Sequence, residues 1–170
     1  IRKVREDQRR DNLEHFTAKN LSYDVDEVKD INYMDDTNEY HNMDIYGPKD
    51  SNEDLPVVVM IHGGGYISCD KSINECQGKY FATKGFRVVN MNYSLQPEAS
   101  FIEGVQEIFS VLHWIVNHAV ECHFDKKQIC VYGDSAGGHY AMLTAAVQNS
   151  EYLQKYYKVT PLKEQIKGVA

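Results

Sequence analysis

Apolar residues along this chain fall into runs and stripes that predict alternating strands and helices. Val57-Val58-Val59-Met60-Ile61, the stretch from Phe86 to Asn92, and Ile129-Cys130-Val131-Tyr132 are short and apolar at nearly every position. That is the pattern of strands covered on both faces. Between the last two, Phe101, Val105, Ile108, Leu112 and Ile115 recur at helical spacing along one face. Further helices are expected from Ile73 to Thr83, ended by Gly85, and from the turn at Ser135 to about Gln148. Strands that alternate with helices in this way predict an α/β fold, a mostly parallel sheet with helices on both faces. Right-handed crossovers then place ligands at the carboxyl ends of the strands.

Upstream the period changes. Val28 to Tyr33 alternates apolar with polar only roughly, His41 to Tyr46 does so better through Met43 and Ile45, and Asp35-Asp36-Thr37-Asn38 lies between them. A short antiparallel hairpin is expected there. Residues 1–22 are strongly polar, with Val4, Leu13, Phe16 and Leu21 as sparse contacts, and read as a polar arm or lid-like helix. Residues 23–170 read as the N-terminal part of a single domain, because Ile166 to Ala170 starts a further strand and the sequence stops one step into it.

Composition narrows the class of function. The chain has 170 residues, 42% of them apolar and 25% charged, which is ordinary for one globular core. A net charge of −7 makes nucleic acid a poor partner. The apolar runs fall far short of a membrane span, and no signal-peptide core opens the chain. Arg2, Lys3, Arg5, Arg9 and Arg10 stand among acidic residues and read as a solvated helix face rather than an anion site. Cys69, Cys76, Cys122 and Cys130 form no CxxC pair, so reduced structural thiols are expected rather than a metal site, and with them a cytoplasmic location.

Two glycine-rich turns carry the candidate chemistry. Gly133-Asp134-Ser135-Ala136-Gly137-Gly138 follows a buried strand directly and opens a helix. Strand, sharp turn and helix around Gly-x-Ser-x-Gly form the context of a nucleophile elbow, with Ser135 as the nucleophile. The bland alternative is a serine that merely caps a helix. His62-Gly63-Gly64-Gly65 follows another buried strand. Its glycines allow backbone N–H groups to approach a ligand oxygen, so the N–H groups of Gly64, Gly65 and Ala136 are the candidate oxyanion hole. His62 is expected to orient that loop. Tyr66-Ile67-Ser68 stands where a phosphate loop would carry Gly-Lys-Ser/Thr, and no dinucleotide fingerprint is present.

With Asn92-Tyr93-Ser94-Leu95-Gln96-Pro97-Glu98 between these two motifs, the sequence from about Val28 onward resembles the hormone-sensitive-lipase-like branch of the α/β-hydrolases, near its bacterial esterase and lipase members. The resemblance implies an α/β-hydrolase fold with an eight-stranded, mostly parallel sheet and a Ser-Asp-His triad. It also implies hydrolysis of a small-molecule carboxylic ester through an acyl-enzyme, without metal or organic cofactor. This chain departs from the family pattern at three positions. Ser94 stands where arginine is usual, which removes an expected structural ion pair; Ile102 stands where proline is usual; and Cys69 replaces a frequent glycine, which is expected to narrow or reshape the site.

A serine hydroxyl needs a base, and the base needs an orienting acid. After Ser135 the only histidine is His139, and the only acids are Glu151 and Glu164. His139 lies four residues along the same helix, a poor direction for reaching the serine oxygen, and is expected with Tyr66 to line the pocket. His113, His118 and His123 read as surface or helix-end residues, and Asp134 as structural. The acid and histidine are therefore expected beyond Ala170. Short or medium acyl esters lead as substrates. Amides, formamides and carbohydrate esters are alternatives on the same fold, and a non-catalytic binding protein is the rival from another class. Oligomeric state is not legible.

Overall fold

The computed structural model describes residues 3, 5–7 and 22–170. Most of the polar arm expected over 1–22, including Val4, Leu13, Phe16 and Leu21, lies outside the described residues. Lys3 and Arg5 to Asp7 are helical.

Among the described residues six strands form one sheet in the order β1-β2-β4-β3-β5-β6, where the resemblance implies eight. They are β1 (Val25–Asn32), β2 (Asn42–Pro48), β3 (Leu55–Ile61), β4 (Arg87–Met91), β5 (Phe124–Gly133) and β6 (Ile166–Val169). β3 to β6 run parallel, whereas β1 and β2 pair antiparallel as a hairpin, and β2 lies antiparallel to β4. The α/β class expected from the strand and helix pattern, with a mostly parallel sheet, is therefore the fold observed.

Beyond the helical residues near the N-terminus, four α-helices among the described residues cover the sheet: α1 (Glu75–Ala82), α2 (Phe101–Asn117), α3 (Ala136–Gln148) and α4 (Glu151–Tyr157). The core divides in two along the pleat. Val57, Val59 and Ile61 of β3 face a large cluster with Val105, Ile108 and Leu112 of α2 and Tyr140, Ala141 and Val147 of α3. Val58 and Met60 face a smaller one with Tyr46, Val88 and Ala82 of α1. Successive β3 side chains point to opposite faces and find apolar cover on both, which explains a strand with no polar position. α2 begins with a capping box: the Ser100 side chain accepts the Glu103 N–H, and Glu103 accepts the Ser100 N–H.

Several boundaries differ from the periodic reading. A 3-10 turn, Lys71–Asn74, precedes α1, which ends at Ala82; Gly85 turns the chain at φ +89 a few residues later. β5 begins at Phe124, well before the apolar run that marked it, and α4 carries no buried residue and so leaves no apolar stripe to read. β1 contains a bulge between Val28 and Ile31, with Asp30 at φ 57. Val28, expected on the buried face, is 58% exposed. An extra bulged residue breaks the period of two on which such a reading depends.

Asp44, a polar position of β2, is buried. It accepts hydrogen bonds from Lys71 Nζ, the Asp30 N–H and the Tyr46 hydroxyl, which offset its desolvation. No helix of the described residues is long and apolar enough to cross a membrane.

Candidate active site

β5 ends at Gly133, which pairs with Ile61 at the end of β3. The two glycine-rich turns therefore leave adjacent parallel strands at the same edge of the sheet. At the first, Ser135 takes φ 50 and ψ −116, left-handed backbone that a non-glycine residue holds only when its surroundings over-determine it. Those surroundings are tight. A Cβ on Gly133 would lie 2.2 Å from the Gly137 carbonyl carbon, and one on Gly137 would lie 2.0 Å from the Ile61 carbonyl oxygen. The close approach of turn, helix start and strand end explains the glycines on either side of the serine.

Ser135 stands at the N-cap position of α3, yet its side chain makes no capping hydrogen bond. Ser100 and Ser150, at the same position of α2 and α4, both cap. The Ser135 residue is exposed, at the positive end of the α3 dipole. A purely capping serine is not what this position holds.

The second turn is locked to the first. The Gly63 N–H donates to Asp134 Oδ1 at 2.9 Å, so the acid beside the serine holds the glycine loop against the elbow. His62 is fully buried and stacks on Tyr93, with ring centroids 4.2 Å apart, and its Nδ1–H donates to the Gly63 carbonyl at 2.7 Å. The Tyr93 hydroxyl donates to the His62 carbonyl at 3.0 Å. Burial holds the His62 imidazole below its ordinary pKa and the Tyr93 phenol above its own. His62 is thus buried and bonded within the loop that it is expected to orient.

Gly64 follows at φ +110, and its carbonyl accepts from the Ile67 N–H at 3.2 Å, the Ser68 N–H at 3.1 Å and the Ser68 hydroxyl at 2.7 Å. In the same trans peptide the Gly65 N–H points away from this bonded carbonyl. Among the described residues, none of the N–H groups of Gly64, Gly65 and Ala136 is spent on an internal partner.

Tyr66 and His139 meet beside the serine, their Oη and Nδ1 hydrogen-bonded at 2.7 Å. Phe101 stacks on the His139 ring at 5.5 Å and meets Tyr66 edge-on at 5.4 Å. The three rings thus pack together, with His139 one helical turn along α3 from Ser135. Spacing along the chain did not reveal Phe101, which reads there only as the first residue of a helical stripe.

The three departures from the family pattern have separate outcomes. Beside Ser94, the buried Glu107 carboxylate accepts the Ser94 N–H at 2.7 Å and faces His41 Nε2 at 3.1 Å. Ile102 sits in the first turn of α2, where proline is tolerated. Cys69 takes φ 69, backbone that glycine adopts without strain, and its Sγ lies 2.9 Å from where a Cβ on Gly64 would be. All four cysteines are free thiols.

His113, His118 and His123 lie away from the elbow: His113 bonds the Thr160 carbonyl, His118 stacks on Trp114, and His123 lies near Asp54. A polar cavity of about 490 Å³ opens at the same end of the sheet beside β1, β2 and β4, lined by Asp30, Asn42, Cys69, Lys71 and Asn92 among others. Ser135 and His139 do not line it.

Comparison with known proteins places this fold among esterases. The BD-FAE family matches residues 43–169. Esterase B from Lactobacillus rhamnosis, in a form inhibited by a C4-C4 SN3 tributyrin phosphonate, superposes with a TM-score of 0.90 at 27% identity over 99% of this chain and 56% of that one. Hormone-sensitive lipase of Homo sapiens is 28% identical over 137 residues, which take in 78% of this chain and 13% of the lipase. Carboxylesterase NlhH of Mycobacterium tuberculosis is 32% identical over 102 residues, 59% of this chain and 32% of that enzyme. The chain thus spans about half the length of the bacterial esterase and less of the two curated relatives.

Proposed function

The chain belongs to the BD-FAE family, within the hormone-sensitive-lipase-like α/β-hydrolase esterases, and from that premise we propose that it carries the nucleophilic half of a serine carboxylesterase. In this reading Ser135 Oγ attacks the carbonyl carbon of a small-molecule ester and passes its proton to a histidine. The negative charge that develops on the carbonyl oxygen is stabilised by the N–H groups of Gly64, Gly65 and Ala136. The alcohol leaves with the proton, and water then hydrolyses the acyl-enzyme by the reverse sequence.

One observation carries the reading: an exposed, non-capping serine in left-handed backbone, beside a glycine loop that the Gly63 to Asp134 hydrogen bond holds in place. The chain's own histidines are poor bases for the serine. His62 is buried and neutral, and the Nδ1 of His139 is engaged with Tyr66. We therefore place the base and its acid beyond Ala170, in the later part of the protein, where hydrolases of this order carry them. Short and medium acyl chains fit the phosphonate of tributyrin bound by esterase B.

A fluorophosphonate probe on the full-length protein tests this. Labelling that disappears in Ser135→Ala is the expected result. Labelling that survives the substitution overturns the assignment. No labelling of the wild type favours a hydrolase fold retained for binding. Steady-state rates on p-nitrophenyl acetate, butyrate and decanoate then rank acyl length.

A further inference from the structure

The glycine loop is held in a conformation that it would not adopt alone. Gly64, Gly65, Tyr66 and Cys69 all have positive φ, and for Tyr66 and Cys69 that backbone is unfavourable. Its carbonyls are anchored one after another. Tyr93 binds those of His62 and Gly63, Ile67 and Ser68 bind that of Gly64, and the Gln96 N–H binds that of Tyr66 at 2.8 Å.

The Ile67 carbonyl is anchored from far outside the loop. Arg5 Nε donates to it at 2.6 Å. The same guanidinium reaches a second loop: Nη2 donates to the Gln96 carbonyl at 2.7 Å and to Glu98 Oε2 at 2.6 Å, and Nη1 donates to Glu98 Oε1 at 3.2 Å. One planar group therefore joins two carbonyls and one carboxylate on two loops, and the Arg5 side chain is only 22% exposed while doing so.

We propose that Arg5 is a positioning residue for the oxyanion hole, clamping the loop from Gly64 to Ile67 against the segment from Gln96 to Glu98. The inference rests on the reading of Ser135 as a nucleophile served by that loop. Each peptide N–H is rigidly coupled to the carbonyl of the residue before it. Releasing the Ile67 carbonyl lets the left-handed Tyr66 relax and turns the N–H groups of Gly64 and Gly65 away from the developing oxyanion. An oxyanion hole acts on the charge that develops in the transition state, so the loss falls on kcat. The fork geometry matters as well as the charge: a lysine ammonium at position 5 is a single point donor and cannot serve all of these separated acceptors.

The test uses the full-length protein with Arg5→Ala, Arg5→Lys and Ser135→Ala, followed by steady-state kinetics and by the rate of fluorophosphonate labelling. Arg5→Ala is expected to lower kcat and the labelling rate by roughly 10- to 100-fold, the scale of a misplaced catalytic group, with KM changed by less than about threefold. Its melting temperature should stay within about 2 °C of wild type, the shift expected for losing a partly exposed contact. Millimolar methylguanidinium should restore part of kcat to Arg5→Ala, and Arg5→Lys should fall nearly as far as the alanine variant. Wild-type kcat in Arg5→Ala, or a loss that follows the melting temperature and does not respond to methylguanidinium, overturns the clamp while an inactive Ser135→Ala leaves the esterase reading standing. Full activity in Ser135→Ala overturns both.

Discussion

Gly63 donates its backbone N–H to the Asp134 carboxylate at 2.9 Å across 71 residues of chain, and this bond joins the two glycine-rich turns into one site. It makes Asp134, the residue beside the serine, the anchor of the neighbouring loop. Removing a charged acceptor from such a bond costs about 1.5–3 kcal/mol. Asp134→Ala is therefore expected to slow fluorophosphonate labelling of Ser135 by at least about tenfold. Asp134→Asn keeps an Oδ1 acceptor and should lose much less. Equal rates for both variants would show that the bond does not position the loop.

Gly137→Ala should damage the elbow directly. The new Cβ would meet the Ile61 carbonyl oxygen at 2.0 Å and the His62 carbonyl oxygen at 2.8 Å, both backbone atoms at a strand end that cannot rotate away. Overpacking of this kind costs about 1–3 kcal/mol or more. At the adjacent Gly138 a Cβ would come no nearer than 3.1 Å to its neighbours. Thermal melts should therefore show a clear drop for Gly137→Ala and a small one for Gly138→Ala. The reverse order would contradict the packing described.

Stability should fall in mild acid through His62. Burial depresses its folded-state pKa below the unfolded value of 6.5, so the unfolded chain binds a proton first as pH falls. The contribution is fully present above about pH 6.5 and is lost below it, at up to about 1.4 kcal/mol per pH unit until the folded-state pKa is reached. Urea unfolding of wild type and His62→Asn at pH 7.5 and 5.5 checks this. The wild type should lose about 1 kcal/mol more between the two pH values than the variant does. Parallel losses would place the acid sensitivity elsewhere.

The pair of His41 and Glu107 should matter for folding rather than for catalysis. Glu107 is 5% exposed and His41 7%, and the second His41 nitrogen faces Asp36 Oδ2 at 2.7 Å. Removing one partner from a buried pair costs about 3 kcal/mol, because the remaining charge stays desolvated. His41→Ala is expected to lose about that much in urea titrations while kcat of the folded enzyme stays within about twofold. Glu107→Gln should lose less, and the double variant less than the sum of the two. Additive losses would mean that the two side chains do not support one another.

The strands, the helical stripe of α2 and the two glycine-rich turns were legible along the chain, because each is set by period or spacing over a few neighbouring residues. Hydrophobic alternation locates β3 and β4, and Gly-x-Ser-x-Gly after a buried run locates the elbow. Where a local rule is interrupted, the reading fails for a physical reason. The bulge at Asp30 exposes Val28, and α4 packs without a buried stripe. The packing of the three rings was only partly legible. Tyr66 and His139 stood near the motifs, but Phe101 joins them through the placement of α2.

By itself, then, the sequence determined the class of sheet, the place of the serine turn between strand and helix, and the family, all of which depend on short-range pattern. The tertiary structure alone decided which distant groups meet: Asp134 with Gly63, His41 with Glu107, and Arg5 with Ile67. The reason is geometric. Strand register and the direction of each crossover fix these contacts, and a polar residue carries no mark of the carbonyl or carboxylate that it will face once the sheet is assembled.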